Sequence, residues 1–294
     1  MKHAYLIIAH NEPHILECLL KLIDYEDNDI YLHVDKKWID FDQEYFKSCV
    51  IKSKLYFTDR LDVRWGTYKQ IECELLLFDT ASKNGKYDYY HLLSGIDLPL
   101  KSQKEIHEFF KQNQGKEFIH FDTFSDPGEL AKERIKYYHF FTSKFNEQGF
   151  VSKVYSALHF RLVKLQKKLN VNRNKDVKIR KGANWLSITD DLVRYILSNR
   201  EFIEKTFKYS YCADELFIQT LVFNSDFYNE LYLKKENDYR SILRFIDWDR
   251  GTPYIFEIND YGQLINSGYF FARKFSTQNG TELVDKIYEY VKEL

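Results

Sequence analysis

Proline and cysteine are both scarce in this chain, at four residues each out of 294. With so few prolines and no low-complexity tract or internal repeat, no stretch reads as an interdomain linker. The cysteines (Cys18, Cys49, Cys73, Cys212) stand far apart with no C-x-x-C spacing. Nothing therefore demands a disulfide framework, which fits a reducing compartment. No apolar run approaches the length of a membrane-spanning helix. The N-terminus enters an apolar strand without the basic segment and long apolar run of a signal peptide, so a cytoplasmic protein is expected. Net charge is nearly absent, at −1, which argues against a nucleic-acid binder. The familiar catalytic loops are missing too: G-x-x-x-x-G-K-[ST], G-x-G-x-x-G and G-x-S-x-G. No D-x-D ends an early strand to carry a metal on a nucleotide diphosphate. HVDKK stands there instead, so charge opposite a diphosphate would have to come from side chains.

What is present is a large apolar fraction, 44% with 17% aromatic, ample for a core. The first 120 residues alternate strand and helix. Strands are expected at Ala4 to Ala9, Ile30 to Val34, Lys54 to Thr58, Tyr89 to Leu93 and Glu117 to His120. Helices are expected at Pro13 to Ile23, Thr67 to Ser82 and Lys104 to Gln112. Such alternation implies a mostly parallel sheet flanked by helices. Beyond residue 182 we expect strands at Trp185 to Ile188, near Ile242 to Trp248 and at Tyr254 to Glu257. Helices should begin near Asp190, Ala213 and Thr281. The whole of 1–294 reads as one α/β domain.

Residues 132–181 differ in charge, with 14 Lys and Arg against three acids. Within them Val154, Leu158, Leu162, Leu165 and Leu169 fall at helical spacing, with lysines opposite. Two readings stay open for this basic helix. It is a packed, solvated element, or a basic amphipathic surface over 152–169 that meets anionic lipid or an acidic acceptor.

His10-Asn11-Glu12-Pro13-His14 spaces two histidines as in a helical zinc motif. Pro13 suits the first turn of a helix and not its interior, so His10 and His14 lie on either side of a strand-to-helix turn. Such a turn at the carboxyl edge of a parallel sheet is where α/β folds take nucleotides. Four more features carry candidate chemistry. Asp35 ends YLHVDKK, placed to accept hydrogen bonds from a ribose or base. Ser94, Gly95 and Asp97 form the turn of YYHLLSGIDLPLKS, where Gly95 permits close backbone approach. Asp214 and Glu215 open an apparent helix in YCADELFIQTL, and either a cap or a general base fits there. Arg273 and Lys274 follow an aromatic run, a pair suited to a diphosphate if the chain turns between them.

These segments resemble the Core-2/I-branching enzyme family of β-1,6-N-acetylglucosaminyltransferases and peptide O-xylosyltransferases. The matching stretches are AYLIIAHNEPHILECLLKLI, IYLHVDKK, VRWGTYKQIECELLL, YYHLLSGIDLPLKS, KGANWLSITDDLVRYIL, ADELFIQTL and FFARKF, in family order from residue 4 to 275. The resemblance implies a GT-A-like fold and inverting transfer from a UDP-sugar to an acceptor hydroxyl. It implies no cofactor and no divalent metal. By position, Glu215 matches the catalytic base and Lys274 a diphosphate-binding lysine; Arg273 matches the arginine of xylosyltransferase-like ARKF. Arg250 stands one residue from a further diphosphate arginine. His10, Asn11 and Asp35 correspond to the uridine pocket. Ser94, Gly95, Asp97, Asn184, Trp185 and Asp214 fall among donor and acceptor sugar contacts. Residues 1–120 would bind the nucleotide and 121–294 the acceptor and diphosphate.

The chain lacks the anchor and paired cysteines of lumenal relatives. In this it resembles bacterial members, whose acceptors are expected to be glycans built on lipid carriers at the inner face of the membrane. From the residues alone two alternatives stand. One is a metal hydrolase built from His10, His14, His33 and Asp35. The other is a non-catalytic glycan or nucleotide binder that keeps the fold.

Overall fold

A computed structural model describes residues 1–123, 129–145, 149–278 and 280–294, with side chains for all of these except 129–131. The first half runs β1 (His3–Ala9), α1 (Pro13–Ile23), β2 (Asn28–Val34), α2 (Gln43–Ser48), β3 (Lys54–Phe57), α3 (Lys69–Asn84), β4 (Tyr89–Ser94), β5 (Leu98–Pro99) and α4 (Gln103–Gln112). The second half carries α5 (Glu129–Lys136), α6 (Phe150–Lys168), β6 (Leu186–Ile188), α7 (Asp190–Ser198), α8 (Arg200–Phe207) and α9 (Phe217–Phe223). It ends with β7 (Arg244–Ile246), α10 (Tyr261–Ile265), β8 (Phe271–Arg273) and α11 (Glu282–Lys292).

The central sheet has the order β3-β2-β1-β4-β6. Its first four strands are parallel and β6 pairs antiparallel with β4. Every residue of β2 and β4 is buried, as expected of parallel strands covered on both faces. One face packs against α1, α4 and α11, the other against α3, α7 and α9. Pro13 opens α1 as expected, and Ile15, Leu16, Leu19, Leu20 and Ile23 turn inward from it. In α4 a reciprocal cap between Ser102 and Glu105 sets the start.

A second sheet, β5-β8-β7, positions the site. Leu98 pairs with Ala272 and Pro99 with Phe271, so the Ser94–Asp97 turn and the Arg273–Lys274 segment lie side by side.

Four expectations change. Glu117 and Phe118 make isolated bridges to Leu231 and Ser187 and form no extended strand. Tyr254 to Glu257 is irregular, because its backbone bonds go singly to Asp247 and Lys274. The helix expected from Ala213 begins at Phe217. The Glu215 carbonyl accepts from the Gly182 N–H at 3.0 Å and does not join a helical ladder, so Asp214 and Glu215 occupy a turn. Finally, α6 is helical, but of its residues only His159 is buried. Of the apolar stripe, Val154, Leu158, Leu165 and Leu169 are exposed and Leu162 is half-buried, so the helix packs through its His159 side and leaves most of the stripe in solvent.

Candidate active site

The turns after β1, β2 and β4 meet at the carboxyl edge of the central sheet. Glu12 adopts a left-handed conformation (φ 58°) at the start of α1. Its carboxylate accepts from Ser276 Oγ at 2.6 Å, Thr277 Oγ1 at 2.5 Å and the Thr277 N–H at 3.1 Å. This clamp holds the His10–Asn11 turn against the chain that follows Lys274. His10 and Asn11 are exposed. Partial burial of the His10 ring lowers its pKa. Asp35 opposes that shift, and Lys37, Lys274 and Arg273 add to it. The turn after β1 and the cationic pair at the end of β8 therefore act on one another.

Asp35 is buried at the end of β2, and its carboxylate already serves the protein. It accepts from the Lys37 N–H at 2.8 Å, Lys37 Nζ at 2.9 Å and the Val63 N–H at 3.0 Å. It thus folds the loop after β3 over the strand end. Gly95 approaches protein, since a Cβ there would stand 2.8 Å from Ala9 Cβ. Ser94 Oγ accepts from the Ile96 N–H.

Asp97 and Arg273 form the core of the cationic corner. Asp97 Oδ2 accepts from the Ser94 N–H at 2.9 Å, while Oδ1 has no hydrogen bond. The Arg273 guanidinium lies 4.1 Å from the Trp185 ring centroid, and its Nε is 3.7 Å from Asp97 Oδ1. Arg273 Nε and one terminal nitrogen are buried without a hydrogen bond. Burial raises the Asp97 pKa and lowers that of Arg273, and in each case the other's charge opposes the shift. A half-buried arginine with unfilled donors, backed by a carboxylate and an indole face, is arranged to receive an anion. Because β8 ends at Arg273, Lys274 leaves the strand and need not follow its alternation.

Carboxylates gather in a second corner around the Asp214–Glu215 turn. Glu215 Oε2 accepts from an Arg134 terminal nitrogen at 3.0 Å and lies 3.7 Å from Lys181 Nζ. Its Oε1 has no protein partner among the described residues, and the side chain is 34% exposed. Asp214 is buried behind it and accepts from Gln70 Nε2 at 2.8 Å. Burial, with Glu215 beside it, pushes the Asp214 carboxyl up to about 7. Glu74 on α3 is fully buried, with neither oxygen hydrogen-bonded. Burial first and Asp214 second push its pKa well above the ordinary range, and Asn184 pulls the other way. Asn184 thus borders the carboxylates while its neighbour Trp185 borders Arg273. One dipeptide at the start of β6 joins the two corners.

Gly182 makes this possible. A Cβ there would collide with the His120 carbonyl oxygen. Without one, the irregular segment 181–184 runs between His120 and the Glu215 turn.

Other expected residues lie apart from these corners or are engaged. Arg250 is a surface residue bound to Asp247 at 2.6 Å and Asp260 at 2.7 Å, over the Tyr254 ring. The set His10, His14, His33 and Asp35 does not gather as a metal centre. His14 bonds Asp285 at 2.6 Å, and His33 Nε2 accepts from the Leu61 N–H. Among the described residues the group with ligand atoms close enough to share an ion is His14, Cys18 and Asp285.

Sequence reasoning missed Gln70, Glu74, Arg134, Lys181 and Gly182. Glu74 carried a signal, since it stands in the stripe Ile71, Glu74, Leu75, Phe78 that α3 buries.

Comparison with known proteins matches the Core-2/I-branching enzyme family model over residues 3–264. Xylosyltransferase sqv-6 of Caenorhabditis briggsae is 25% identical over 293 residues, covering 90% of this chain and 34% of that protein. The beta-1,3-galactosyl-O-glycosyl-glycoprotein beta-1,6-N-acetylglucosaminyltransferase of Bos taurus is 22% identical over 305 residues, covering 93% and 66%. The chain therefore spans 34% of the first relative's length and 66% of the second's. Mouse xyloside xylosyltransferase 1 in its apo form aligns over 95% of this chain and 99% of that one, at 12% identity and a TM-score of 0.39.

Proposed function

As the chain belongs to the Core-2/I-branching enzyme family, we propose that it is an inverting glycosyltransferase on a GT-A-like scaffold. It moves a sugar, N-acetylglucosamine or xylose, from a UDP-sugar to a hydroxyl of a glycan or lipid-linked glycan. The acceptor is met in the cytoplasm at the inner face of a membrane. The observation that carries this reading is the pairing of the two corners across Asn184–Trp185. A carboxylate with one open oxygen stands on one side, and a half-buried arginine with unfilled donors stands on the other.

Glu215 Oε1 takes the proton of the acceptor hydroxyl. That oxygen attacks the anomeric carbon as the bond to the UDP oxygen breaks on the opposite face. Arg273 and Lys274 meet the charge that develops on the departing diphosphate, the kind of preorganised electrostatic effect that is usually the largest catalytic contribution. The reaction needs no divalent ion, since these cations take its place. Arg134 and Lys181 hold Oε2, which aims Oε1 outward. Uridine lies at the His10–Asn11 turn beside Asp35. The sugars lie among Ser94, Gly95, Asp97, Asn184, Trp185 and Asp214, and Arg250 is at the rim.

The test is the melting temperature with UDP and a panel of UDP-sugars, in EDTA and again with manganese. UDP at 100 times its dissociation constant should add about 2.7 kcal/mol, a rise of several degrees. The rise is expected in EDTA. A response that requires manganese refutes the metal-free mechanism, and no response to any uridine nucleotide refutes the donor class.

A further inference from the structure

Helix α6 divides into three faces. One faces the protein and is centred on His159, whose Nδ1 bonds the Phe140 carbonyl. The second is apolar and uncovered. Val151, Val154, Leu158, Leu165 and Leu169 are 40% to 67% exposed. At 3.6 residues per turn they fall within an arc of about 60°. The third is basic: Lys153, Arg161, Lys164 and Lys168 occupy the adjoining arc of about 80° and are exposed. None of these four is ion-paired among the described residues, whereas Lys167, outside the arc, is tied to Glu133 at 2.5 Å. No acid occurs anywhere in Phe150–Lys168. Phe141, on the other border of the apolar stripe, is 38% exposed and packs on Tyr155.

We propose that this face docks on an anionic lipid bilayer. The apolar stripe enters the interface between headgroups and acyl chains, and the basic arc lies over the headgroups. Both halves of the face are needed for that fit. An apolar stripe alone would suit any hydrophobic partner, and a basic arc alone would suit any polyanion. Their adjacency on one uncovered helix matches a surface that is anionic outside and apolar a few ångströms below. A second copy of the chain fits poorly. A two-fold contact through this stripe would set basic arcs of like sign beside one another. An acidic polysaccharide would answer the lysines and leave the valines and leucines in water. The helix is not long and apolar enough to cross a membrane, so the contact is peripheral. It rests on α6 alone, so it can fail while the proposed glycosyl transfer stands.

Flotation of the full chain with vesicles decides it. Binding is expected to phosphatidylcholine vesicles containing phosphatidylglycerol and not to phosphatidylcholine alone. Lys164→Glu with Lys168→Glu should weaken it at least about tenfold, as expected from roughly 1 kcal/mol for each cation near an anionic surface. Leu158→Ser with Leu165→Ser keeps every charge and should weaken it to a similar degree. Both pairs are exposed, so an unchanged melting temperature is the control for folding. Wild-type binding by the serine variant would overturn insertion and leave simple adsorption. No binding by the wild type would overturn the proposal outright. A concentration-dependent dimer that Leu158→Ser abolishes would assign the face to a second copy.

Discussion

The two ends of the parallel sheet treat polar groups in opposite ways. Toward the amino ends, His3, His91 and His107 are buried together. His91 bonds His3 at 3.1 Å and Ser187 Oγ at 2.7 Å, and His107 stacks on His3 and bonds Asn28 Oδ1 at 2.8 Å. Asn28 and Tyr5 both donate to Gln103. Burial lowers the pKa of each histidine, so this network is neutral. At the carboxyl ends ionisable groups are incompletely matched: Asp97 Oδ1 and two nitrogens of Arg273 have no hydrogen bond, and neither has the Asn184 amide oxygen. This neutral network leaves only His3 Nε2 and Gln103 Nε2 without a hydrogen bond among its side chains, and open positions on uncharged groups cost less than on charged ones. Buried charges with open positions are destabilising by themselves, and a bound ligand with matching groups can offset that.

The largest effect should come from the charged end. Glu215→Gln keeps size and shape but cannot take a proton. Turnover should fall by at least about 100-fold, with the UDP-induced rise in melting temperature kept. A near-normal rate would remove Glu215 from the role of base and leave the charged end without an assigned proton acceptor.

Gly182→Ala should come next and act on the fold. The added methyl meets the His120 carbonyl, and overpacking of this kind costs about 1–3 kcal/mol. Gly262, in α10, has open space around it and an ordinary φ. Gly262→Ala should be neutral or stabilising by up to about 1 kcal/mol. Equal melting temperatures for the two variants would mean that the close approach at Gly182 does not hold the Glu215 turn. Lys274→Ala should weaken UDP binding by about tenfold, the loss of one charge-assisted contact, readable by calorimetry. Unchanged affinity would exclude Lys274 from the diphosphate site.

The same contrast governs what the sequence discloses. Periodicity places α1 correctly because Pro13 and the stripe Ile15, Leu16, Leu19, Leu20 settle it locally. The strands β1, β2 and β4 are likewise marked by their own apolar runs. The site depends instead on contacts between distant residues. Arg134 and Glu215 are 81 positions apart, and the turn at Asp214–Glu215 departs from helix because Gly182, 33 positions away, takes its carbonyl. No local pattern encodes that. Glu74 lies between these cases, since a lone acid in an apolar stripe is visible in the sequence but its neighbour Asp214 is not.

The pH dependence of stability separates the two ends most directly. Asp214 titrates near about 7 in the fold and near about 3.9 unfolded. The folded state therefore keeps a proton that the unfolded chain releases, and this group's contribution is lost as pH rises from about 4 to 7, at up to about 1.4 kcal/mol per unit. His107 is the reverse, at about 4 folded against about 6.5 unfolded. Its contribution is present at neutral pH and lost as pH falls from about 6.5 to 4. Asp214→Asn should thus raise the melting temperature relative to the parent by a margin that widens from pH 4 to pH 7. His107→Gln, which can still donate to Asn28, should gain relative to the parent as pH falls over the same range. Melting curves at half-unit intervals would show the two difference plots with opposite slopes. Parallel slopes would mean that the two ends of the sheet do not differ in how they hold their protons.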